Sequence, residues 1–476
     1  MELDVTRKKI DAIDDKLIDL FIKRMNLSRD IAEYKKENGL PVLNSKREAD
    51  ILRRISEKTG PAINPYAEKF FNNLFDLSRA QQKAQLFRYG LVGENLSHSY
   101  SKIIHDKISD DYSYTLFSLN ANEFKNFIKS GDFDGLNITI PYKKAVMPFC
   151  DEISDIAAEI GAVNTVYKKN GKLYGTNTDY AGFLFMLDRS GISLKNKRVL
   201  ILGGGGASLT VQKCARDRGA SAITVAGRNH DFSNDRGAEI IVNATPVGMF
   251  PENGAKIIDL SDFPRCKGVI DVVYNPLNTD LLLRAKEMGI LYTNGLPMLV
   301  AQATSAAGLF TGKDYTDKNE EILDALTVSV QNIVLIGMPG AGKTTIGKKL
   351  ACMLGKDFID LDASVTEKAG MPIPDVFEKY GEKRFRDMES EAAKEYGRQR
   401  NLVIATGGGC VLRKENMDAL IQNGVVIFLD RPLKFLETKG RPLSKSPEAL
   451  RWMYKYRLPF YEKYGDYRVV IKSSDI

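Results

Sequence analysis

Residues 332–344, NIVLIGMPGAGKT, decide the architecture of the last third of the chain. The run from Asn332 to Ile336 is strand-like, GMPGAGKT at 337–344 fits G-x-x-x-x-G-K-[ST], and a helix-like stretch follows. That context is what the motif needs. Glycines let backbone N–H groups approach phosphates, Lys343 reaches the β and γ oxygens, and Thr344 offers a hydroxyl to Mg²⁺. Gly337, Gly340, Ala341, Gly342, Thr344 and Thr345 are therefore expected to cradle a nucleotide, with Lys343 acting in catalysis. The motif specifies a nucleotide and leaves its acceptor open.

Upstream, from about residue 86 to 330, short β runs alternate with helical stretches. RYGLVG, LNITIP, RVLILG, AITVAG, EIIVNAT and GVIDVVY each end in Gly, Pro or polar residues, the mark of parallel α/β architecture. LILGGGGAS at 200–208 is a second glycine-rich turn between a strand and a helix, making Gly203, Gly204, Gly205, Gly206, Ala207 and Ser208 candidates for a dinucleotide site. Arg228 stands at the end of the next strand. An acid there would bind a ribose hydroxyl, whereas an arginine suits a 2′-phosphate, so NADP(H) is expected over NAD.

Residues 1–85 read as all helix. Leu3, Ile10, Leu17 and Ile13, Leu20, Leu27 form two interleaved seven-residue series, Gly39-Leu40-Pro41 and Gly60-Pro61 stop two helices, and a third runs from about Pro65 to Gln85. A helix over 3–38 would span about 54 Å at roughly 1.5 Å per residue. Beside only two partners it cannot bury its apolar face, which predicts a helical homodimer.

A chain of 476 residues exceeds one hydrophobic core, and its 43% hydrophobic, 27% charged composition is ordinarily globular. No apolar run approaches a membrane span, and the charged start MELDVTRKKIDAIDD lacks a secretory core. Cys150, Cys214, Cys266, Cys352 and Cys410 are scattered, odd in number and without a CxxC pair, which indicates a reducing cytoplasm. The formal charge of +7 is spread among acids rather than gathered in a stripe, arguing for carboxylate and phosphate ligands and against nucleic acid. Only His98, His105 and His230 occur, so proton transfer must rest mainly on Lys and Asp.

Residues 330–476 resemble shikimate kinase through DLD at 360–362, GEKRFRDME at 381–389, ATGGG at 405–409, GRPLS at 440–444 and RLPFY at 457–461. One acid of the DLD pair can position Mg²⁺ while the other accepts a hydrogen bond from the attacking hydroxyl. The resemblance implies Asp360 as the metal residue with Thr344, Asp362 as the catalytic acid, Arg386, Arg457 and Gly408 as shikimate ligands, and Arg441 as the lid arginine beside the transferring phosphoryl of ATP. The lid between Leu436 and Arg441 is short, and the chain ends at Ile476 before the family's usual final helix.

Residues 86–329 resemble shikimate dehydrogenase through SHSYS at 97–101, NITIPYK at 137–143, GAVNT at 161–165, GTNTD at 175–179, NATPVGM at 243–249 and GLPMLVAQA at 295–303. The resemblance implies a two-lobed Rossmann-type fold, with a substrate lobe at 86–185 and 290–329 and an NADP lobe at 190–289. It makes Lys143 the stabiliser of the developing alkoxide and Asp179 the acid that tunes it. Ser99 and Ser101 would bind the substrate carboxylate and Asn164 and Gln302 its ring hydroxyls, with Asn137 and Thr139 in the same pocket, Tyr274 near both substrate and nicotinamide, and Gly295 and Met298 on the cofactor side. Lys102 replaces the family's proline, Pro297 replaces a glycine, and between Arg228 and Ala238 the chain is short by about one helix and strand.

Residues 1–85 resemble the all-helical chorismate mutases through Arg7, Arg24, Lys35, Arg47, Glu48, Ser78 and Gln82, which implies Arg24 and Lys35 as catalytic and the others as chorismate ligands. Arg24 and Lys35 share a helix face to within about 20°, whereas Arg7 falls about 100° from Arg24. In the family that arginine crosses to the partner's site. A family acid is Asn44 here.

The fused chain would thus reduce 3-dehydroshikimate to shikimate, phosphorylate shikimate to shikimate 3-phosphate, and rearrange chorismate to prephenate. Alternatives are a helical segment that only senses chorismate or prephenate, a trimmed domain that serves as a structural partner, and a dehydrogenase that accepts quinate.

Overall fold

The computed structural model describes residues 3–37, 42–86, 88–97, 99–436 and 447–471. It falls into two units, Met1–Thr178 with Ala303–Lys318, and Asp179–Gln302 with Asn319–Ile476. The units cut across the expected lobes, since Asp179 and residues 290–302 lie with the second.

The first unit opens with α1 (Leu3–Glu37), α2 (Ser45–Lys58) and α3 (Asn64–Leu86). Asn44 caps α2, its side chain accepting from the Arg47 amide at 3.0 Å. Ala32, Ile55, Leu74 and Phe75 are buried, but both heptad series of α1 stay in solvent, with Ile10, Ile13, Leu17 and Leu20 all exposed.

A six-stranded sheet follows, formed by β1 (Arg88–Gly93), β2 (Ser113–Ser118), β3 (Gly135–Ile138), β4 (Glu152–Ile153), β5 (Thr165–Lys169) and β6 (Lys172–Thr176) in the order β2-β1-β3-β5-β6-β4. Its helices are α4 (Ser101–Ile108), α5 (Ala121–Ser130) and α6 (Asp155–Ile160). The α/β pattern holds, but this sheet is mixed, because β5 pairs antiparallel with both β3 and β6. The turn residues Asn170 and Gly171 have φ of 53° and 77°, the left-handed pair that closes a tight hairpin.

The second unit contains α7 (Asp179–Ser190), β7 (Arg198–Leu202), α8 (Gly206–Asp217), β8 (Ala222–Ala226), β9 (Ile240–Asn243), β10 (Gly268–Asp271), α9 (Asp280–Glu287), β11 (Leu291–Thr293) and the start of α10 (Leu296–Thr311). These five strands are parallel, in the order β11-β10-β9-β7-β8. Between β8 and β9 the chain makes only a 3-10 turn at Phe232–Asn234, so β8 is left at the sheet edge.

The polar stretch after Gly312 folds as α11 (Asn319–Val330) and leads into β12 (Asn332–Ile336). Then come α12 (Lys343–Leu354), β13 (Asp357–Asp360), α13 (Leu361–Ala369), α14 (Ile373–Gly397), β14 (Leu402–Ala405), α15 (Lys414–Ile421), β15 (Gly424–Asp430), α16 (Pro447–Tyr464) and β16 (Tyr467–Val470). All five strands run parallel in the order β13-β14-β12-β15-β16. The carboxyl ends of β12 and β14 therefore lie side by side, where ligands of open parallel sheets bind. At the opposite end Lys356 is buried and donates to the carbonyls of Val328 and Gln331 and to Asn401 Oδ1, at 2.8, 2.9 and 3.1 Å. Lys356→Met leaves those acceptors unpaired. It should cost about 1–3 kcal/mol, seen as an earlier unfolding transition in the fluorescence of Trp452, the single tryptophan.

Candidate active sites

The phosphate loop turns back on β12 through positions closed to other residues. Gly337, Gly340 and Gly342 have φ of 144°, 83° and 89°, and a Cβ on Gly337 would overlap the Leu429 carbonyl. Lys343 begins α12 with its side chain folded over the loop, Nζ lying 2.9 Å from Gly337 O and 3.0 Å from Met338 O. Thr344 donates to Asp360 Oδ2 at 2.6 Å. The other oxygen of Asp360 caps α13 and accepts from the amides of Asp362 and Ala363. One carboxylate thus registers the phosphate loop against Asp362.

The acceptor end lies beside it. Arg386 and Arg457 are both buried, at 9% and 6% exposure. Arg386 donates to Glu389 Oε2 at 2.9 Å and to Glu382 Oε1 at 3.3 Å. Burial would depress its pKa, but the two acids outweigh that and raise it. Glu389 is pushed up by burial, against the pull of Arg386. A Cβ on Gly407 would meet Asp362 Oδ1 at 2.6 Å and Glu389 Oε1 at 2.7 Å, while one on Gly408 would strike Pro339 of the phosphate loop at 2.6 Å. Tyr461, buried on α16, donates to Gly408 O at 2.6 Å. Glu389 Oε1 and Arg457 Nε are buried without a hydrogen-bond partner among the described residues. Phosphate loop, Asp362, Arg386, Gly408 and Arg457 therefore form one cluster, and Arg441 lies outside the described residues. Glu389 was missed from the sequence. Its signal was a position three residues after Arg386 on the same helix.

In the first unit, Asn137 and Asn164 are 3% and 2% exposed. Asn137 accepts from Tyr114 at 2.7 Å and donates to Thr165. Asn164 accepts from the Thr178 amide at 2.6 Å and from the Thr165 hydroxyl at 3.0 Å. Thr165 and Thr178, which hold these amides, were not singled out beforehand. Ser99 Oγ donates to Ser101 Oγ and accepts from the Ser101 amide, both at 3.2 Å. His105 stacks on Tyr114 at 3.7 Å, and burial lowers its pKa to about 3, so it is a neutral packing group. Lys143 is half-buried, and Thr139 packs against Gly93.

In the second unit, Asp179 is buried at the first turn of α7. One turn on, Gly182 lets α7 meet α10, for a Cβ there would come within 2.5 Å of Met298 O and 3.1 Å of Gln302. Gly295 packs on Val272 and donates to Val273 O at 3.0 Å, holding α10 against the loop that carries Tyr274. Gly203 has φ of 105° and lies under Thr245, while a Cβ on Gly204 or Gly205 would meet nothing within 4 Å. Gly206, Ala207 and Ser208 begin α8, and Arg228 is exposed past β8.

In the helical segment Arg24 donates to Ser78 and to Leu74 O, and burial lowers its pKa. Lys35 donates to Gln82 Oε1 at 3.1 Å and Val42 O at 2.5 Å; burial lowers its pKa and Glu48 partly opposes this. Gln82 reaches on to Ser28 at 3.0 Å. Glu48 pairs with Arg79, another residue missed from the sequence. Arg24, Lys35, Ser78 and Gln82 are joined this way, with Glu48 close enough to act on Lys35. Arg47 is exposed, and Arg7 pairs only loosely with Asp4 at 3.7 Å, roughly 25 Å along the helix from Arg24 at about 1.5 Å per residue.

A mixed-sheet lobe and a parallel lobe with a glycine turn, together with a phosphate-loop domain that holds a buried arginine pair, define a fused metabolic enzyme. Residues 6–83 match the chorismate mutase type II family, 91–166 the shikimate dehydrogenase substrate binding domain, and 339–475 the shikimate kinase family. A shikimate dehydrogenase (NADP(+)) of Clostridium perfringens is 35% identical over 258 residues, covering 49% of this chain and 95% of that protein. One from Clostridium beijerinckii is 36% identical over 242 residues, covering 46% and 89%. A solved chorismate mutase/shikimate 5-dehydrogenase fusion protein from Clostridium acetobutylicum is 34% identical, covering 50% of this chain and 96% of that one, with a TM-score of 0.48. The chain belongs to the shikimate dehydrogenase family, and it joins that domain to chorismate mutase and shikimate kinase domains as a multifunctional enzyme of the shikimate pathway.

Glu389→Ala strips Arg386 of its buried partner and should destabilise the kinase by about 3–5 kcal/mol. Combining it with Arg386→Met should recover much of that loss. Denaturant unfolding followed through Trp452 measures both.

Proposed function

We propose that residues 86–329 reduce 3-dehydroshikimate to shikimate with NADPH, residues 330–476 phosphorylate shikimate with ATP, and residues 1–85 rearrange chorismate to prephenate. The observation that carries the kinase reading is the buried Arg457, its Nε unpartnered among the described residues, which acts with Arg386 on the buried Glu389 and on Tyr461, itself bonded to Gly408 against the phosphate loop. Two guanidinium groups in one buried site suit a carboxylate, and the acceptor hydroxyl then faces Asp362. Lys343 exchanges its carbonyl partners for phosphate oxygens, and Arg441 takes the lid role. The Thr344 hydroxyl and Asp360 carboxylate are hard oxygen donors that fit Mg²⁺, which when bound neutralises charge on the phosphates.

In the dehydrogenase, Lys143 donates the proton to the alkoxide while Ser99, Ser101, Asn137, Thr139 and Asn164 orient the substrate. The remaining dehydrogenase residues of this reading are Asp179, Tyr274, Gln302, Gly295, Met298 and the 203–208 turn, with Arg228 for the 2′-phosphate. In the mutase, Arg24, Lys35, Arg47, Glu48, Ser78 and Gln82 grip the dianion, and Arg7 serves the site of a second copy. The exposed apolar series of α1 is the surface such a homodimer would bury. Five free cysteines suit a reducing cytoplasm, and no helix among the described residues is long and apolar enough to cross a membrane.

Incubating the intact protein with 3-dehydroshikimate, NADPH, ATP and Mg²⁺ should yield shikimate 3-phosphate by mass. Lys143→Ala should abolish shikimate formation. Lys343→Ala, or chelation of Mg²⁺, should leave shikimate unphosphorylated. No loss of ATP with shikimate present would defeat the kinase assignment. In a separate assay, Arg24→Ala should slow chorismate conversion about a hundredfold or more. Leu17→Glu should convert a sedimenting dimer to monomer and slow the same reaction, whereas a parent that sediments as a monomer removes the homodimer from the reading.

A further inference from the structure

The cofactor lobe and the kinase lie in the same unit, and a polar seam joins them. On the cofactor side the seam is the loop from β10 to α9, in which Tyr274, the residue read above as near both substrate and nicotinamide, stands three positions after Asp271. Its inner face is tied to Asp271, which accepts from the Val273 amide at 3.0 Å, the Thr279 hydroxyl at 2.6 Å and Asn243 at 3.0 Å. Its apex is bonded to the kinase. The amide of Leu277 donates to Asn423 Oδ1 at 3.0 Å, and that of Asn278 to Gln422 O at 2.8 Å. Asn278 Nδ2 donates to Ile421 O at 3.3 Å, and Asn253 Nδ2 to Gln422 Oε1 at 2.8 Å.

These bonds are sheltered, since Asn275, Leu277 and Asn423 are 7%, 5% and 2% exposed. A buried backbone amide needs a partner, so without the kinase turn the loop apex must move or hydrate. The turn is itself rigidly held. Asn423 Nδ2 faces the carbonyls of Gly397, Arg398 and Gln399 at 3.3–3.4 Å, and its own carbonyl accepts from the amide of Asn332, the first residue of β12, at 2.8 Å. Ion pairs of Arg284 with Asp418, at 2.7 Å, and Lys286 with Asp466, at 3.1 Å, flank the seam but are partly exposed and individually weak.

We propose that the kinase turn Ile421–Gln422–Asn423 is a positioning element for the dehydrogenase, fixing the Tyr274–Thr279 loop against which the nicotinamide is bound. This rests on the reading of Tyr274 and the cofactor lobe given above. The kinase is then needed for full NADPH affinity as well as for phosphoryl transfer.

The test uses the full chain with Asn278→Ala and Gln422→Ala combined, which removes two side-chain bonds and leaves Asn423 in place. NADPH affinity, read by nicotinamide fluorescence, and KM for NADPH should both weaken about fivefold or more, the scale of one or two neutral hydrogen bonds. Kinase KM for ATP should stay at the parent value. Amide exchange at Leu277 and Asn278 should quicken while that of β12 does not. Gln422→Glu, which keeps the acceptor for Asn253, should remain near the parent. An unchanged NADPH affinity with unchanged exchange overturns the proposal, as does parallel loss of ATP binding. A parent that binds NADPH without reducing 3-dehydroshikimate refutes the assigned activity, while the affinity and exchange comparisons still decide the role of the turn.

Discussion

The second unit depends on the placement of β12 between β14 and β15. A strand flanked on both sides has every backbone group committed, so its two ends are fixed relative to each other. At its start Asn332 accepts from the Leu402 amide at 2.9 Å and donates to Gln399 O at 2.8 Å. At its finish Gly337 must turn in a conformation closed to other residues, with the Leu429 carbonyl against its Cα. The phosphate loop is therefore launched from a frame that cannot slide by a residue, because a slip would exchange Val334 and Ile336 with Leu335 between two separately packed buried faces.

Charge burial at the acceptor end follows from that frame. Arg386 sits on α14 with Glu389 one turn along, and both are packed under Gly407 and Gly409. A lone buried guanidinium would be costly, and Glu389 offsets it by direct hydrogen bonding. The second arginine, Arg457, arrives on α16, whose Tyr461 is pinned to Gly408. Both cations act on the fully buried Glu389, while Asp362 and Glu382 are less buried and Arg457 Nε is left without a partner among the described residues, so guanidinium donors remain to meet an anionic ligand.

The phosphate loop and its strand were legible because their signal is local: four aliphatic residues, Ile333 to Ile336, then glycines and Lys343 in fixed order. The arginines were legible only as a set, since any single Arg looks like surface. Glu389 and Arg79 were not, because an acid three residues from an arginine is usual on solvated helices and only burial separates the two cases. The β5–β6 hairpin escaped because TVYKK and KLYGT were not read as strands, although Asn170-Gly171 marks a tight turn. Arg7 shows the converse limit, since helix geometry alone places it away from Arg24 and the structure of one chain leaves it there.

The seam between the cofactor lobe and the kinase was beyond sequence reading, for it pairs residues more than a hundred positions apart through backbone groups and ordinary Asn and Gln amides. Its position answers the trimming visible in the sequence. The lobe lacks a helix between β8 and β9, so β8 is an edge and that side of the sheet has little covering it. The opposite side is where β10, β11 and α9 lie, and there the kinase supplies hydrogen-bond acceptors to the loop apex and acids to α9. A sheet short of support at one margin gains more from a brace at the other, because its loops can otherwise relax in both directions. Fusion here then acts through packing as well as through the order of the reactions, with the kinase fold completing the surface against which the dehydrogenase holds its cofactor loop.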